Sequence, residues 1–333
     1  MKDVREVLRG DAELAAWLDE LEALEGPGFG AGLPEGEELP EVLLDLAVPH
    51  EDVNPLVALR RTTAEDPGWR WLLERCVHGL VRDMGVPGGG VTLPLLPALP
   101  EPYGAAGRYF AVNVFVAMLP HARAHHRALG ISDEDSRRTL ADLGRNMAVH
   151  RRRHGEGGLS VPDWIRLHFR GEIFQLGRLQ FQRTEVLGRA GACLEEAGRP
   201  GRTGDPCLSI HVPDFSGPLS PRACAASLAR ARAFFPRHFP GERYEIAVCE
   251  SWLLDPQLRD RLPEGSRILR FQDLFERIVP REEVYDTGTV RFVFGDPDLP
   301  VPGLPRRTSL ERAVGDHLRA GGHWYGGVGT LTL

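Results

Sequence analysis

The sequence predicts an α+β protein in two parts: a helical N-terminal domain over residues 1–155 and a mixed-sheet domain over residues 156–333. Three observations carry this. The first 150 residues repeat apolar side chains at three- and four-residue spacing, the period of an amphipathic helix. Beyond "GEGGLSVPDW" (155–164) the pattern moves toward apolar/polar alternation, the period of a half-buried strand. A chain of 333 residues has the length of two domains or one large one, and with 42% hydrophobic residues it holds ample apolar material for a core.

The elements follow in order. "AELAAWLDELEAL" places Leu14, Trp17, Leu18 and Leu21 on one helical face behind a candidate N-cap, Asp11. "GWRWLLERCVHGLVRDM" repeats the pattern with Trp71, Leu72, Cys76 and Leu80. The Pro/Gly-rich stretch 85–102 interrupts regular structure. "RYFAVNVFVAMLPHARAHHRALG" reads as a buried helix, bent or ended before Pro120. "SDEDSRRTLADLGRNMAVHRRRHG" reads as one helix. It opens on a Ser132–Asp135 capping box and ends on arginines that suit the negative end of the dipole. "WIRLHFRGEIFQLGRLQFQRTEV" alternates through Ile165, Leu167, Phe169, Leu179 and Phe181, predicting two or three antiparallel strands that turn near Arg170-Gly171. A helical or loop connection through "RPGRTGDP" follows. "CLSIHV", "YEIAVCESWLL", "TVRFVFG" and "GVGTLTL" are then expected strands. "SPRACAASLARARAFFPRHF" and "SLERAVGDHLRAGG" are expected helices, and "DPQLRDRL" starts on an Asp cap with Pro at the first helical position.

Composition excludes several classes. The net charge of -7 argues against a general nucleic-acid binder. No apolar run approaches the ~20 residues of a membrane span, and the charged start "MKDVREVLRGDAEL" does not resemble a secretory signal. The five cysteines (Cys76, Cys193, Cys207, Cys224, Cys249) form no C-x-x-C pair. They are expected to be free, mostly buried thiols in a cytoplasmic protein. His121 and His125 stand at i and i+4 on a helix, but with no nearby carboxylate ligand in sequence, so no metal is expected.

The strings "FQLGRLQF", "LSIHVPDFSGPLSPRACAASLARARAFFPRHFP" and "AVCESWLLDPQLRDRLPEGSRILRFQ" resemble those of a bacterial family of two-domain acyltransferases. That family joins a helical N-acyltransferase domain to a C-terminal domain similar to the GNAT superfamily, with a central, largely antiparallel sheet. The resemblance implies transfer of an acyl group from a pantetheine thioester to an amine. The donor would be acyl-CoA or a loaded acyl carrier protein, and the acceptor a small-molecule or peptide amine. It places the pantetheine arm in a V-shaped gap between Leu208–Val212 and Ile246–Trp252, with Ser220–Phe235 as the helix beside it. One departure stands out. GNAT enzymes usually carry Q/R-x-x-G-x-G/A at the strand–helix junction, and this chain has Asp214-Phe215-Ser216-Gly217-Pro218. Arg152-x-x-Gly155-Glu156-Gly157 fits the pattern but follows a helix, the wrong context.

At that junction the helix N-terminus offers N–H donors and partial positive charge to a phosphate. Small residues Ser216, Gly217 and Ser220 would let it approach, and Arg222 would add charge. The plainer reading is a cap: Ser220 at N-cap, Pro221 at N1, and Gly217-Pro218 a turn. Backbone N–H groups of Ile210 and Val212 would stabilise the developing oxyanion. His211, with a pKa suited to neutral pH, and Glu250, at the end of a buried strand, are alternative bases for the amine. Ser251 would donate to the leaving thiolate. Each has a structural alternative: a strand histidine satisfied by a neighbour, a glutamate paired with an arginine. Cys249 alternates away from Glu250 and reads as core. Tyr325, in "GGHWYGG", is a weaker candidate acid. The interdomain cleft is the expected pocket. A non-catalytic protein that keeps the fold is the alternative. A carrier-dependent enzyme would place Arg222, Arg230 and Arg232 beside the gap.

Overall fold

The structure, a computed structural model, describes residues 3–26, 28–87, 103–196, 201–214 and 216–333. Most of the Pro/Gly-rich stretch, 88–102, lies outside them, as do Phe215 of the junction loop and the Cys193 side chain. The chain divides into two compact units, Met1–Phe174 and Gln175–Leu333. The boundary expected after residue 155 falls inside the first unit, because the segment beyond it is helical and packs there.

The first unit is built from α1 (Val4–Leu8), α2 (Ala12–Glu22), α3 (Leu39–Asp45), α4 (His50–Glu65), α5 (Pro67–Arg82), α6 (Gly104–Ala128), α7 (Asp133–Leu140), α8 (Asp142–His154) and α9 (Pro162–Phe169). Asp11 caps α2 by accepting from the N–H groups of Glu13 and Leu14, and the expected stripe Leu14, Trp17, Leu18 and Leu21 is buried. In α5 the core tryptophan is Trp69, while Trp71 is half-buried beneath the Arg5 guanidinium. Helix α6 continues through Pro120 instead of ending there. Residues 109–119 are buried along its whole circumference, and that packing offsets the hydrogen bond the proline removes. The long helix expected after Ser132 is two, divided at Ala141. Asp142 opens the second: its buried carboxylate accepts from Arg145, Asn146 and the Trp164 indole of α9. Ser132 caps α7 as expected, but the Asp135 carboxylate accepts from the Ser132 hydroxyl, not from its backbone.

The stretch expected to be paired strands is half helix. Pro162 starts α9, and Ile165, His168 and Phe169 are buried at helical spacing, with Phe169 5.0 Å from Phe115 between ring centres. The turn that matters lies later, at Gly177-Arg178. It joins β1 (Ile173–Leu176), which straddles the division between units, to β2 (Leu179–Glu185). There follow α10 (Gly188–Glu196), β3 (Pro206–His211), α11 (Pro221–His238), β4 (Ile246–Ser251), α12 (Arg267–Gln272), β5 (Arg277–Pro280), α13 (Asp286–Phe294), α14 (Ser309–Arg319) and β6 (Gly327–Thr332). The strands form one sheet in the order β1-β2-β3-β4-β6-β5. Strand β3 is antiparallel to β2 and parallel to β4, and β4 and β5 are antiparallel to β6.

Helices α10 and α11 cover opposite faces. Ala190 and Leu194 of α10 pack on Cys207, Ile246, Val248 and Val328. Phe235 of α11 packs on Phe181, 6.5 Å between ring centres. "TVRFVFG" is a helix, α13, and not the expected strand. Its alternation does not follow burial, since Val290 is buried and Phe292 is 55% exposed. "DPQLRDRL" forms a 3-10 turn, with Asp255 capping it and also accepting the Tyr325 N–H at 2.8 Å. Strand β5 has four residues and ends on proline, too short a signal to predict. Among the described residues no helix is long and apolar enough to cross a membrane.

Candidate active site

The two central strands part. Their ladder covers only Leu208↔Ala247 and Ser209↔Val248. On its other side β3 stays paired to β2 as far as His211, and β4 stays paired to β6 as far as Ser251. The C-terminal ends of β3 and β4 therefore hold to their outer neighbours and separate from each other. The sequence favours this. Beyond His211 the chain meets Val212-Pro213, and a proline has no N–H to extend a ladder. Beyond Ser251 the chain folds into a 3-10 turn, Trp252–Leu254. The backbone edges past Ser209 and Val248 thus have no strand partner across the gap, which makes their polar groups available to a ligand that enters it.

A cleft of about 390 Å³ opens on the α10 face of the sheet, with Cys207, Ser209, Val248 and Val328 in its floor. Its rim is charged. Arg281 lies 2.7 Å from Glu250 and 3.6 Å from Glu283, and Arg189 lies 3.5 Å from Glu283. These pairs are solvated, so each contributes little to stability; they order the rim and give it both signs of charge.

His211 is half-buried at the end of β3, on the face shared with Ser209, Gln182 and Glu250. Its Nε2 lies 2.9 Å from Oε1 of Gln182. A glutamine oxygen accepts, so the proton sits on Nε2 and Nδ1 is the basic nitrogen. Glu250 is 55% exposed and paired with Arg281, the structural alternative named for it above. Ser251 points to the opposite face from Glu250, and its Oγ accepts the Leu253 N–H at 3.1 Å as an N-cap. The three residues are therefore not one constellation: His211 and Glu250 share a face, and Ser251 does not. Cys249 is buried on the far face, and burial pushes its thiol up to about 12, so it is no nucleophile.

At the junction loop Ser220 caps α11 by accepting from Ala223 N–H at 3.2 Å, with Pro221 at N1. The Ser216 hydroxyl donates to Asp214 O at 3.3 Å. Gly217 has φ +77 with open space around it, and Arg222 is exposed. Pro218 and Pro221 contribute no N–H donors, so this loop is a cap first. Ile210 is buried, and Val212 continues β3 just past its last paired residue. Near the C-terminus Trp324 is buried, its indole donating to Val314 O, because the chain there folds back on Asp286 and α14. Tyr325 is half-buried. His121 bonds Gly30 O through Nε2 at 2.6 Å, while His125 lies against Gly85 and Gly171. Among the described residues no cluster of three potential metal ligands occurs.

Sequence reasoning missed Gln182 and Arg281. Gln182 lies just after "FQLGRLQF". Alternation puts Gln180, Gln182 and Thr184 on one face, but only the β2–β3 register places that face against His211. Arg281 arrives on the unforeseen strand β5.

This arrangement, an α/β sheet with two parallel central strands splayed over a helix N-terminus and a helical unit before it, defines an acyltransferase-type architecture. Residues 37–171 match the N-acyltransferase N-terminal domain, and residues 173–331 match the GNAT-like C-terminal domain. A solved acyltransferase in complex with decanoyl-CoA and teicoplanin is 40% identical, with TM-score 0.87, covering 99% of this chain and 99% of that one. A second, in complex with decanoyl-CoA, is 40% identical with TM-score 0.86, covering 99% of this chain and 98% of that one. A third, in complex with CoA and 10C-teicoplanin, is 39% identical with TM-score 0.85, covering 99% of each chain. No curated protein sequence matches significantly. The chain belongs to this family of two-domain N-acyltransferases.

Proposed function

We propose that the protein is a cytoplasmic enzyme that moves a medium-length acyl group from coenzyme A to an amine on a small-molecule or peptide acceptor. The observation that carries the reading is the parting of β3 from β4 beyond Ser209, in a chain 40% identical to an acyltransferase holding decanoyl-CoA. A thioester lying in that gap meets unpaired backbone groups along β3, with Ile210 and Val212 as the N–H donors to its carbonyl oxygen. Two relatives hold teicoplanin or its 10C form, which supports a bulky amine-bearing acceptor lying over the rim of the cleft.

The chemistry follows from the groups in reach. The neutral amine attacks the thioester carbonyl, a C–N bond forms, and the C–S bond breaks. His211 takes the amine proton on Nδ1 while Gln182 holds Nε2. The thiolate leaves and takes up a proton from water, since Ser251 lies on the other face of the sheet with its hydroxyl oxygen accepting the Leu253 N–H. Glu250, held by Arg281, orients the incoming ammonium on the rim. Ser216, Gly217, Ser220 and Arg222 border the donor's phosphates.

Incubation with octanoyl- or decanoyl-CoA and a panel of peptide-borne and small-molecule amines, followed by mass spectrometry, tests the reading. Mass gain of one acyl group on an acceptor, with release of free CoA, is expected. Absence of transfer from every acyl-CoA overturns it in favour of a carrier-bound donor, which a loaded acyl carrier protein then checks.

A further inference from the structure

Arg178 sits in the turn between β1 and β2, and the turn is fastened in place. Gly177 has φ +89, and a Cβ there would lie 2.9 Å from Ser227 Oγ. That hydroxyl accepts from the N–H groups of Arg178 and Leu179, at 2.8 and 3.2 Å, and donates to Ala223 O at 3.0 Å. One serine of α11 therefore fixes the backbone from which Arg178 projects. Since Gln180 of β2 stands opposite His211 of β3, the turn lies at the C-terminal end of β3, where the central gap opens.

The side chain crosses to the junction loop, where Nη1 donates to Pro213 O at 3.1 Å. Its Nε is buried and has no acceptor. A guanidinium carries five N–H donors, and Arg178 makes no ion pair among the described residues. Burial pushes its pKa below the ordinary arginine value, opposed by Cys224 and Asp214. A partly desolvated cation with an orphaned donor is costly unless an anion completes it. The loop it touches is the one that lacks the usual glycines, and two of its residues are prolines without N–H groups.

We infer that Arg178 is a phosphate contact of the donor site, supplying from the β1–β2 turn the positive charge and donors that the junction loop does not. This rests on the acyl-thioester reading above. The ligand chemistry is a phosphate ester on the pantetheine arm, present both in coenzyme A and on a carrier protein.

The test compares wild type, Arg178→Ala and Arg178→Lys on one acyl group carried by coenzyme A, by 4′-phosphopantetheine and by pantetheine. In Arg178→Ala, kcat/KM should fall roughly 10- to 100-fold on the two phosphate-bearing donors, mainly through KM, the size of one charge-assisted hydrogen bond. It should be unchanged on pantetheine, which also shows that the variant is folded. Lysine should recover part of the loss. Equal losses on all three donors, or none on any, overturn the inference. Wild type inactive on every acyl-CoA would instead fail the donor reading itself. A loaded carrier protein as fourth donor separates the two sources of phosphate.

Discussion

At the scale of single residues, the site depends on which nitrogen of His211 carries the proton. A glutamine diagonal to it on β2 bears on this, since Gln182 Oε1 at 2.9 Å accepts from Nε2. Replacing His211 by Ala should lower kcat/KM by about 10²–10⁴, the range of a lost general base. Gln182→Glu should retain activity but alter its pH profile, because a carboxylate in that place favours the charged imidazole. Glu250→Gln should act more weakly than His211→Ala and mainly through acceptor KM, as expected of a solvated carboxylate already paired with Arg281. Steady-state kinetics on the three variants distinguishes these roles. If Glu250→Gln proved the more damaging, the base would have to be reassigned to Glu250.

At the scale of elements, two short connections hold the donor side together. Helix α11 starts on Ser220, and Ser220→Ala should cost about 1 kcal/mol of stability by chemical denaturation, the usual value of a lost N-cap. Gly177→Ala should cost at least about 1 kcal/mol, since the position is left-handed and the added methyl meets Ser227 Oγ. Elements were legible in the sequence where local signals and burial agreed. Helix α11, with Ser-Pro at its start, and strand β3, bounded by turn residues, are examples. They were misread where burial came from a distant partner. Helix α9 looks like a strand because Ile165, Leu167 and Phe169 alternate, yet Ile165 and Phe169 are the pair that packs, four residues apart. Helix α13 alternates as well, and no side chain caps its start; its first residue, Asp286, instead accepts the Trp324 N–H from 38 residues away.

At the scale of the molecule, the helical unit carries its own pH sensitivity. His126 is buried, with Nδ1 2.8 Å from Ser136 Oγ, and burial, with His125 beside it, lowers its pKa from 6.5 to about 3. Between those values the unfolded chain binds a proton that the folded one does not, so stability rises with pH across that window. It should be fully present above pH 6.5 and fall by up to about 1.4 kcal/mol per pH unit as pH drops below it. Thermal unfolding from pH 4 to 8 should show a shallower acid slope for His126→Gln than for wild type. Identical slopes would assign the acid sensitivity to other groups.

The sequence by itself determined the order of a helical part before a mixed sheet, the caps at Asp11, Ser132 and Ser220, and the family. Those properties are written in residue spacing and in local strings. It also marked His211 and Glu250 as the titratable groups worth placing. Only the tertiary structure decided that β3 and β4 part after two residue pairs, that Gln182 faces His211, and that Arg281 meets Glu250. It alone placed Ser251 on the other side of the sheet and Arg178 over the junction loop. The physical reason is the same in each case. Helix period and capping act over three or four residues, whereas strand register and the turn that aims an arginine are fixed by partners tens of residues away, so no local pattern encodes them.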